Sequence, residues 1–315
     1  MMKNTRGELS CGGGYTSHMH YTGLTYRPPY EANSLILQVT SGCSWCRCTF
    51  CSMYRNVPFS VSPMEEVAAD IREAAQLWPW AHRVFLANGD AFALPAARLE
   101  EIARLIHEWL PNVQNIGGYA SINNVRMKSD EELARLASLG FADFNIGVES
   151  GLDDVLAYMN KGYTADEARV QMRRLREAGM PYNLNIINAA AGPHRIREHA
   201  RANADLVNEA QPTLVFVSPL HVDAGTPLEQ EVAAGLFEEC TLGDYLVEEL
   251  EFLRQLELED CIFFGLHVSN PVPVAGRLPH DKAKLIAALE QGMAAIPDWQ
   301  LVSHPPKGAE GRLAL

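Results

Sequence analysis

No stretch of the 315-residue chain reaches the roughly 18 consecutive apolar residues that a membrane-spanning helix needs. The opening Met-Met-Lys-Asn-Thr-Arg-Gly-Glu has no apolar run of the secretory kind, so the expected location is the cytoplasm. Positive charge is scarce: 26 Lys and Arg against 39 Asp and Glu leave a formal net charge of −13. Such a surface has no overall pull on phosphate backbones or anionic lipid, so neither nucleic acid nor a membrane is an expected partner. Cysteine is sparse and uneven. Of seven, four fall within nine residues, at Cys43, Cys46, Cys48 and Cys51. A disulfide framework is not spaced this way, and in a reducing compartment crowded thiols more often hold a metal. Cys11, Cys240 and Cys261 have no near partner in sequence and read as ordinary buried thiols. A linker rich in Pro, Gly and Ser is also missing, which argues against two separate domains.

What is present is a repeated alternation of short apolar runs and helical patterns, the mark of β-α units around a parallel sheet. Six strands are expected, at 34–40 (SLILQVT), 83–87 (RVFLA), 113–119, 143–148 (DFNIGV), 182–188 (YNLNIIN) and 214–219 (LVFVSP). Ser62-Pro63-Met64-Glu65, Ser129-Asp130-Glu131-Glu132 and Thr164-Ala165-Asp166-Glu167 have the spacing of capping boxes and predict helix starts. The fold class that follows is α/β, a partial TIM barrel of six β-α units, with residues 33–225 as its core. Residues 1–32 form an irregular lead without periodicity. Residues 226–315 form a mostly helical extension that closes the barrel and carries one more apolar run at 261–269 (CIFFGLHVS). In parallel architectures the chemistry sits at the carboxyl ends of the strands. That rule selects the loop 40–51, Asn88-Gly89-Asp90, Ser121 with Asn123, Glu149-Ser150-Gly151, Asn185 with Asn188, and His221.

The first strand runs straight into Gly42-Cys43-Ser44-Trp45-Cys46-Arg47-Cys48-Thr49-Phe50-Cys51-Ser52-Met53-Tyr54. Three thiolates on one tight loop can take three corners of an iron-sulfur cubane and leave the fourth iron open for catalysis, whereas four would fill it. This loop resembles that of the radical S-adenosylmethionine (radical SAM) superfamily, in particular its Fe-S oxidoreductase-like subgroup. Tyr26-Arg27-Pro28-Pro29-Tyr30-Glu31, Ile146-Gly147-Val148-Glu149-Ser150-Gly151 and Asn160-Lys161-Gly162 are similar to that subgroup as well. The resemblance spans residues 26–290 and implies the (β/α)6 radical SAM core. It implies a 4Fe-4S cluster held by Cys43, Cys48 and Cys51, with S-adenosylmethionine on the open iron and an external reductant such as ferredoxin or flavodoxin. The spacing is C-x4-C-x2-C, one residue longer than the commonest in the superfamily. Cys46 stands where the related loops carry Asn. It reads as a non-ligating residue, with a ligand swap or a four-thiolate zinc site as the other options.

By the same resemblance, Phe50 packs near adenine, and Asn88, Gly89 and Asp90 form the element that accepts from the cofactor ammonium. Glu149 accepts from the ribose hydroxyls with Ser150 assisting, Ser121 and Asn123 serve ribose or the methionyl carboxylate, Lys161 meets that carboxylate, and Asn185 stands where relatives bind ribose. His267 with Asn270 forms the candidate substrate pair, chosen from a group that also holds His221 and Arg277. There is no second cysteine cluster and no room before Thr40 for a cobalamin-binding domain, so a single-cluster enzyme acting on an organic substrate is expected. The competing classes are a non-catalytic electron carrier using all four loop thiols and a zinc-stabilised binding module.

Overall fold

A computed structural model describes residues 9–11, 15–17 and 19–304. One eight-stranded sheet organises the chain: β1 (Leu35–Gln38), β2 (Arg83–Ala87), β3 (Asn115–Ala120), β4 (Phe144–Glu149), β5 (Tyr182–Asn188), β6 (Leu214–Pro219), β7 (Cys261–Gly265) and β8 (Val274–Leu278). Their spatial order is their chain order. Neighbours from β1 to β7 pair in parallel, and β8 returns antiparallel along β7. The partial-barrel α/β class is what the alternation predicts, and the sheet stays open between β1 and β8. Two strands exceed the expected six. The apolar run at 261–269 supplies β7, and Val274–Leu278 was invisible because its Val-Ala-Gly-Arg-Leu is short and carries a glycine.

Strand alternation sorts the side chains. Val84, Leu86, Ile146, Val148, Leu184, Ile186, Val215 and Val217 join the large core under the outer helices. Their alternates, among them Asn145, Asn185, Phe216 and Phe264, are outside that core and face the concave side. The boxes at Ser129 and Thr164 form as predicted, each hydroxyl accepting from the third backbone N–H of its helix. The box at Ser62 does not. Pro63 takes the cap position before Met64–Leu77, and the Ser62 hydroxyl instead bonds His20 Nε2 at 2.9 Å.

That bond belongs to the lead segment, which is irregular yet pinned. Met19 and Glu31 are 1% exposed. His20 also bonds Asp70 through its ring and backbone N–H, and Tyr21 donates to the carbonyl of Ile36 on the edge strand β1. At the amino ends of the strands Glu31 takes the Arg83 guanidinium at 2.6 Å, and Arg83 also reaches Asp143. Tyr30 plugs that end, its hydroxyl donating to Asn145. Cys240 and Cys261 are buried as expected, whereas the side chain of Cys11 lies outside the described residues.

Helix Leu242–Gln255 covers the outer side of the sheet and carries Glu249, 2% exposed, with Oε1 lacking a hydrogen-bond partner among the described residues. Burial pushes its carboxyl up to about 8. A raised acid favours the folded state fully below its unfolded value and loses that contribution as pH climbs to about 8. Glu249→Gln is therefore expected to unfold at a higher temperature than the parent at pH 9 and at a nearly equal one at pH 4, by about 2–4 °C for each kcal/mol in a chain of this size. Melting curves at the two pH values check it; a gap that does not grow with pH contradicts it. Among the described residues, no helix is long and apolar enough to cross a membrane.

Candidate functional site

Glycine lets the cysteine loop dock where it leaves β1. Gly42 and Gly89 both have positive φ, and a Cβ on Gly89 would collide with the carbonyl of Gly42. The loop's far side is stapled to the turn that follows helix Asp153–Tyr158. Trp45 Nε1 donates to the carbonyl of Asn160 at 2.7 Å, and Asn160 Nδ2 donates to that of Arg47 at 3.0 Å. Thr49 bonds the carbonyls of Met159 and Tyr158, each at 3.2 Å. A Cβ on Gly162 would strike the Trp45 ring, so this turn needs its glycine too. Arg55 closes the loop from its end, donating to the carbonyls of Cys48 and Cys51 at 3.3 Å.

Cys43, Cys48 and Cys51 are half-buried, whereas Cys46 is exposed. Burial raises all three of the former thiols, Cys51 to about 12, and each is close enough to feel at least one of the others. Cys46 takes a left-handed backbone with φ of 43° and turns its thiol to the carbonyl of Tyr54 at 3.5 Å. This donor set fits a cubane: three half-buried thiols on one loop, beside a fourth that is exposed. A single ion fits less well, because no three His, Cys, Asp or Glu side chains among the described residues converge as its ligands.

Around this loop the structure collects the strand ends. Asn88 is fully buried with φ of 67°, its Oδ1 unpartnered among the described residues. Its Nδ2 donates to Gln38 Oε1 at 2.5 Å, and the same oxygen accepts the backbone N–H of Thr22 at 2.7 Å. Gln38 thus links the lead segment to the Asn88-Gly89-Asp90 turn. Gln38→Ala leaves the buried Asn88 amide without its acceptor, and the expected destabilisation is about 1–3 kcal/mol. Urea unfolding checks it, and a midpoint identical to the parent's contradicts it. Burial raises the Asp90 carboxyl, against hydrogen bonds from Ser44 and from Asn124 at 3.4 Å. Ser121 caps the short helix Ile122–Arg126, and Asn123 donates to the carbonyl of Lys161 at 3.1 Å.

Glu149 ends β4 at a register shift and holds φ of 74°, a strained position for a residue with a side chain. Its Oε1 lies 3.0 Å from Lys161 Nζ, and both residues are buried. Burial opposes the lysine's charge, but Glu149, Tyr163 and Cys48 together outweigh it and hold the ammonium well above the ordinary range. The same ammonium is 5.9 Å from the Phe50 ring centre, so Glu149 and the residue before Cys51 flank one cation. That pairing was not foreseen, although both residues were singled out.

The remaining candidates separate. Ser150 turns inward to His199 Nε2 at 2.9 Å, and His199 Nδ1 meets Glu248 at 2.8 Å, a fully buried relay that sequence spacing could not reveal. Asn185 faces the concave side with a buried Oδ1 that has no partner among the described residues. Asn270 does not join His267 through its side chain; it donates to the carbonyls of Gly265 and Val217 at 2.8 and 3.1 Å and braces the strand ends. His267 lies near His221, their ring centres 6.3 Å apart, and Arg277 pairs with Asp260 at the surface.

The model of the radical SAM superfamily matches residues 37–207, more than half of the chain. Among solved structures, methylornithine synthase (PylB) superposes with a TM-score of 0.55 at 16% identity, covering 81% of this chain and 68% of that one. The radical S-adenosylmethionine methyltransferase TsrM from Kitasatospora setae, with cobalamin and a 4Fe-4S cluster bound, gives 0.53 at 20% identity over 64% of this chain and 39% of its own. Coproporphyrinogen III oxidase (HemN) from Escherichia coli gives 0.52 at 17% identity over 70% and 52%. At these identities the likeness is one of fold, and the chain spans about two-fifths of TsrM and half of HemN. No curated protein matches significantly.

Proposed function

The chain belongs to the radical SAM superfamily, and from that premise we propose that it is an enzyme holding its cluster through Cys43, Cys48 and Cys51 and cleaving S-adenosylmethionine to act on an organic substrate. The cofactors are a 4Fe-4S cluster and S-adenosylmethionine, which together supply a 5'-deoxyadenosyl radical able to take hydrogen from carbon. The observation that carries the residue assignment is the loop itself, where three thiols are half-buried and Cys46 is exposed with its thiol on the Tyr54 carbonyl.

The chain's own residues supply binding, orientation and exclusion of water. The left-handed Asn88-Gly89-Asp90 turn, docked on Gly42, offers the unpartnered Asn88 Oδ1 and the Asp90 carboxylate to an ammonium group. Glu149 offers its second oxygen to ribose hydroxyls while Lys161 holds the first. Phe50 belongs to an apolar cluster with Ile187, Leu220 and Val222 that keeps water from the space above β5 and β6. Ser150, committed to His199, acts by bracing the turn after Glu149. The electron comes from an external reductant of the ferredoxin or flavodoxin kind. An electron carrier would have no use for this ring of polar strand ends.

Anaerobic reconstitution with iron and sulfide tests the reading at its base. The expected product is a brown protein with about four irons and four sulfides per chain, which bleaches on reduction. A colourless protein that retains zinc instead would refute it.

A further inference from the structure

The concave face beside the cofactor site carries a further set of groups, of which Asn185 alone stands where the resembling enzymes bind ribose. Register places Gly147, Asn185, Phe216 and Phe264 in one row across β4, β5, β6 and β7. The two phenylalanine rings lie 5.7 Å apart and nearly parallel, at 18°. Tyr30 closes the row from below, edge-on to Phe264 at 5.1 Å. His267 stands edge-on to Phe216 at 5.8 Å, and His221 stands beside His267. Neither His221 Nε2 nor Asn185 Oδ1 has a partner among the described residues, although both atoms are buried.

The charges that border this slot are already engaged, although His221 still feels the carboxylate of Asp223. Glu149 and Lys161 hold each other, Arg83 is taken by Glu31 and Asp143 at the far end of the strands, and Asp223 accepts the Ser52 hydroxyl of the cluster loop. Burial lowers both histidines, His267 to about 4, so the imidazoles are neutral near pH 7. A ligand bearing a net charge would lose its hydration here without gaining a counter-charge that is not already engaged. An aromatic wall favours a flat ring, which stacks or meets it edge-on. The unpartnered imidazole nitrogen and carboxamide oxygen favour a ring edge that both donates and accepts.

We infer that the slot formed by Asn185, Phe216, His221, Phe264 and His267 is a substrate subsite for an uncharged, planar, hydrogen-bonding ring, such as a heteroaromatic amide or a nucleobase-like group. The inference rests on the proposed enzyme reading for its name as a substrate site. Binding itself is independent of any cofactor cleavage.

Equilibrium dialysis of the reconstituted protein against four labelled probes tests it: nicotinamide, nicotinate, benzylamine and cyclohexanecarboxamide. Nicotinamide is expected to bind saturably in the millimolar range. Each of the others, carrying a charge or lacking the flat ring, is expected to bind about tenfold or more weakly, the size of a lost stacking contact or an uncompensated polar group. Phe216→Leu removes the ring wall and is expected to abolish the preference for nicotinamide over cyclohexanecarboxamide. Asn185→Asp places a carboxylate in the row and is expected to turn the preference toward benzylamine. Unfolding temperatures, measured on the same samples, report that each variant is folded. Nicotinate or cyclohexanecarboxamide binding as well as nicotinamide would overturn the inference, as would no saturable binding of nicotinamide or unchanged preferences in folded variants. Because dialysis needs no turnover, these failures are distinct from failure to cleave S-adenosylmethionine.

Discussion

Replacing Cys43, Cys48 or Cys51 by alanine is expected to remove the iron-sulfur cluster and all cofactor cleavage, while replacing Cys46 by asparagine is expected to leave both intact. The three thiols share one loop and feel one another's charge, so loss of any one leaves a cubane with two protein ligands. Burial holds these thiols protonated when free, and iron inverts that preference by binding the thiolate, so assembly releases protons and is expected to improve as pH rises. Cys46 turns to the Tyr54 carbonyl in a left-handed conformation, which asparagine adopts more readily than most residues. Iron and sulfide content of the four variants after anaerobic reconstitution decides it. A Cys46→Asn protein without a cluster, beside a Cys43→Ala protein that keeps one, would make the ligand set Cys46, Cys48 and Cys51.

Glu149→Ala is expected to act twice. It removes acceptors from the proposed ribose site, weakening S-adenosylmethionine by about 1.5–3 kcal/mol, the size of hydrogen bonds to a charged group. It also strands the Lys161 ammonium, which is buried with Glu149 as its ion-pair partner, and breaking a buried pair from one side costs about 3–5 kcal/mol of stability. The two effects separate in a Glu149→Gln, Lys161→Met double variant. That protein is expected to recover most of its stability and still bind the cofactor weakly, as read by calorimetry and by urea unfolding. Recovery of both together would show that Glu149 acts only through the fold, and an unchanged dissociation constant in Glu149→Ala would remove it from the cofactor site.

Strands with strong β-branched or aromatic runs were legible to the residue, as at Arg83–Ala87, Tyr182–Asn188 and Leu214–Pro219. Short-range signals were equally plain where the backbone alone decides, as at the Ser129 and Thr164 caps. What stayed hidden depended on partners far along the chain. Ser62 looked like a cap, but a histidine 42 residues earlier claims its hydroxyl. Ser150 looked like a cofactor ligand, but His199 and Glu248 draw it into the core. The lead segment had no periodicity to read because its order comes from docking, through His20 on Asp70 of helix Met64–Leu77 and through Tyr21 and Thr22 on β1, not from its own repeat. Among the site candidates, the turns at 88–90 and 160–162 could be singled out as motifs, yet their meeting on opposite sides of the cysteine loop is a property of the fold.

As proposed, this loop and its strand ends make a catalyst and not a carrier. The measurement that bears on it most directly is the formation of 5'-deoxyadenosine by the anaerobically reconstituted protein, supplied with S-adenosylmethionine and dithionite. The expected products are 5'-deoxyadenosine and methionine in equal amounts, absent from the Cys43→Ala protein and present with Cys46→Asn. A fully loaded cluster that accepts the electron and leaves S-adenosylmethionine intact would contradict it.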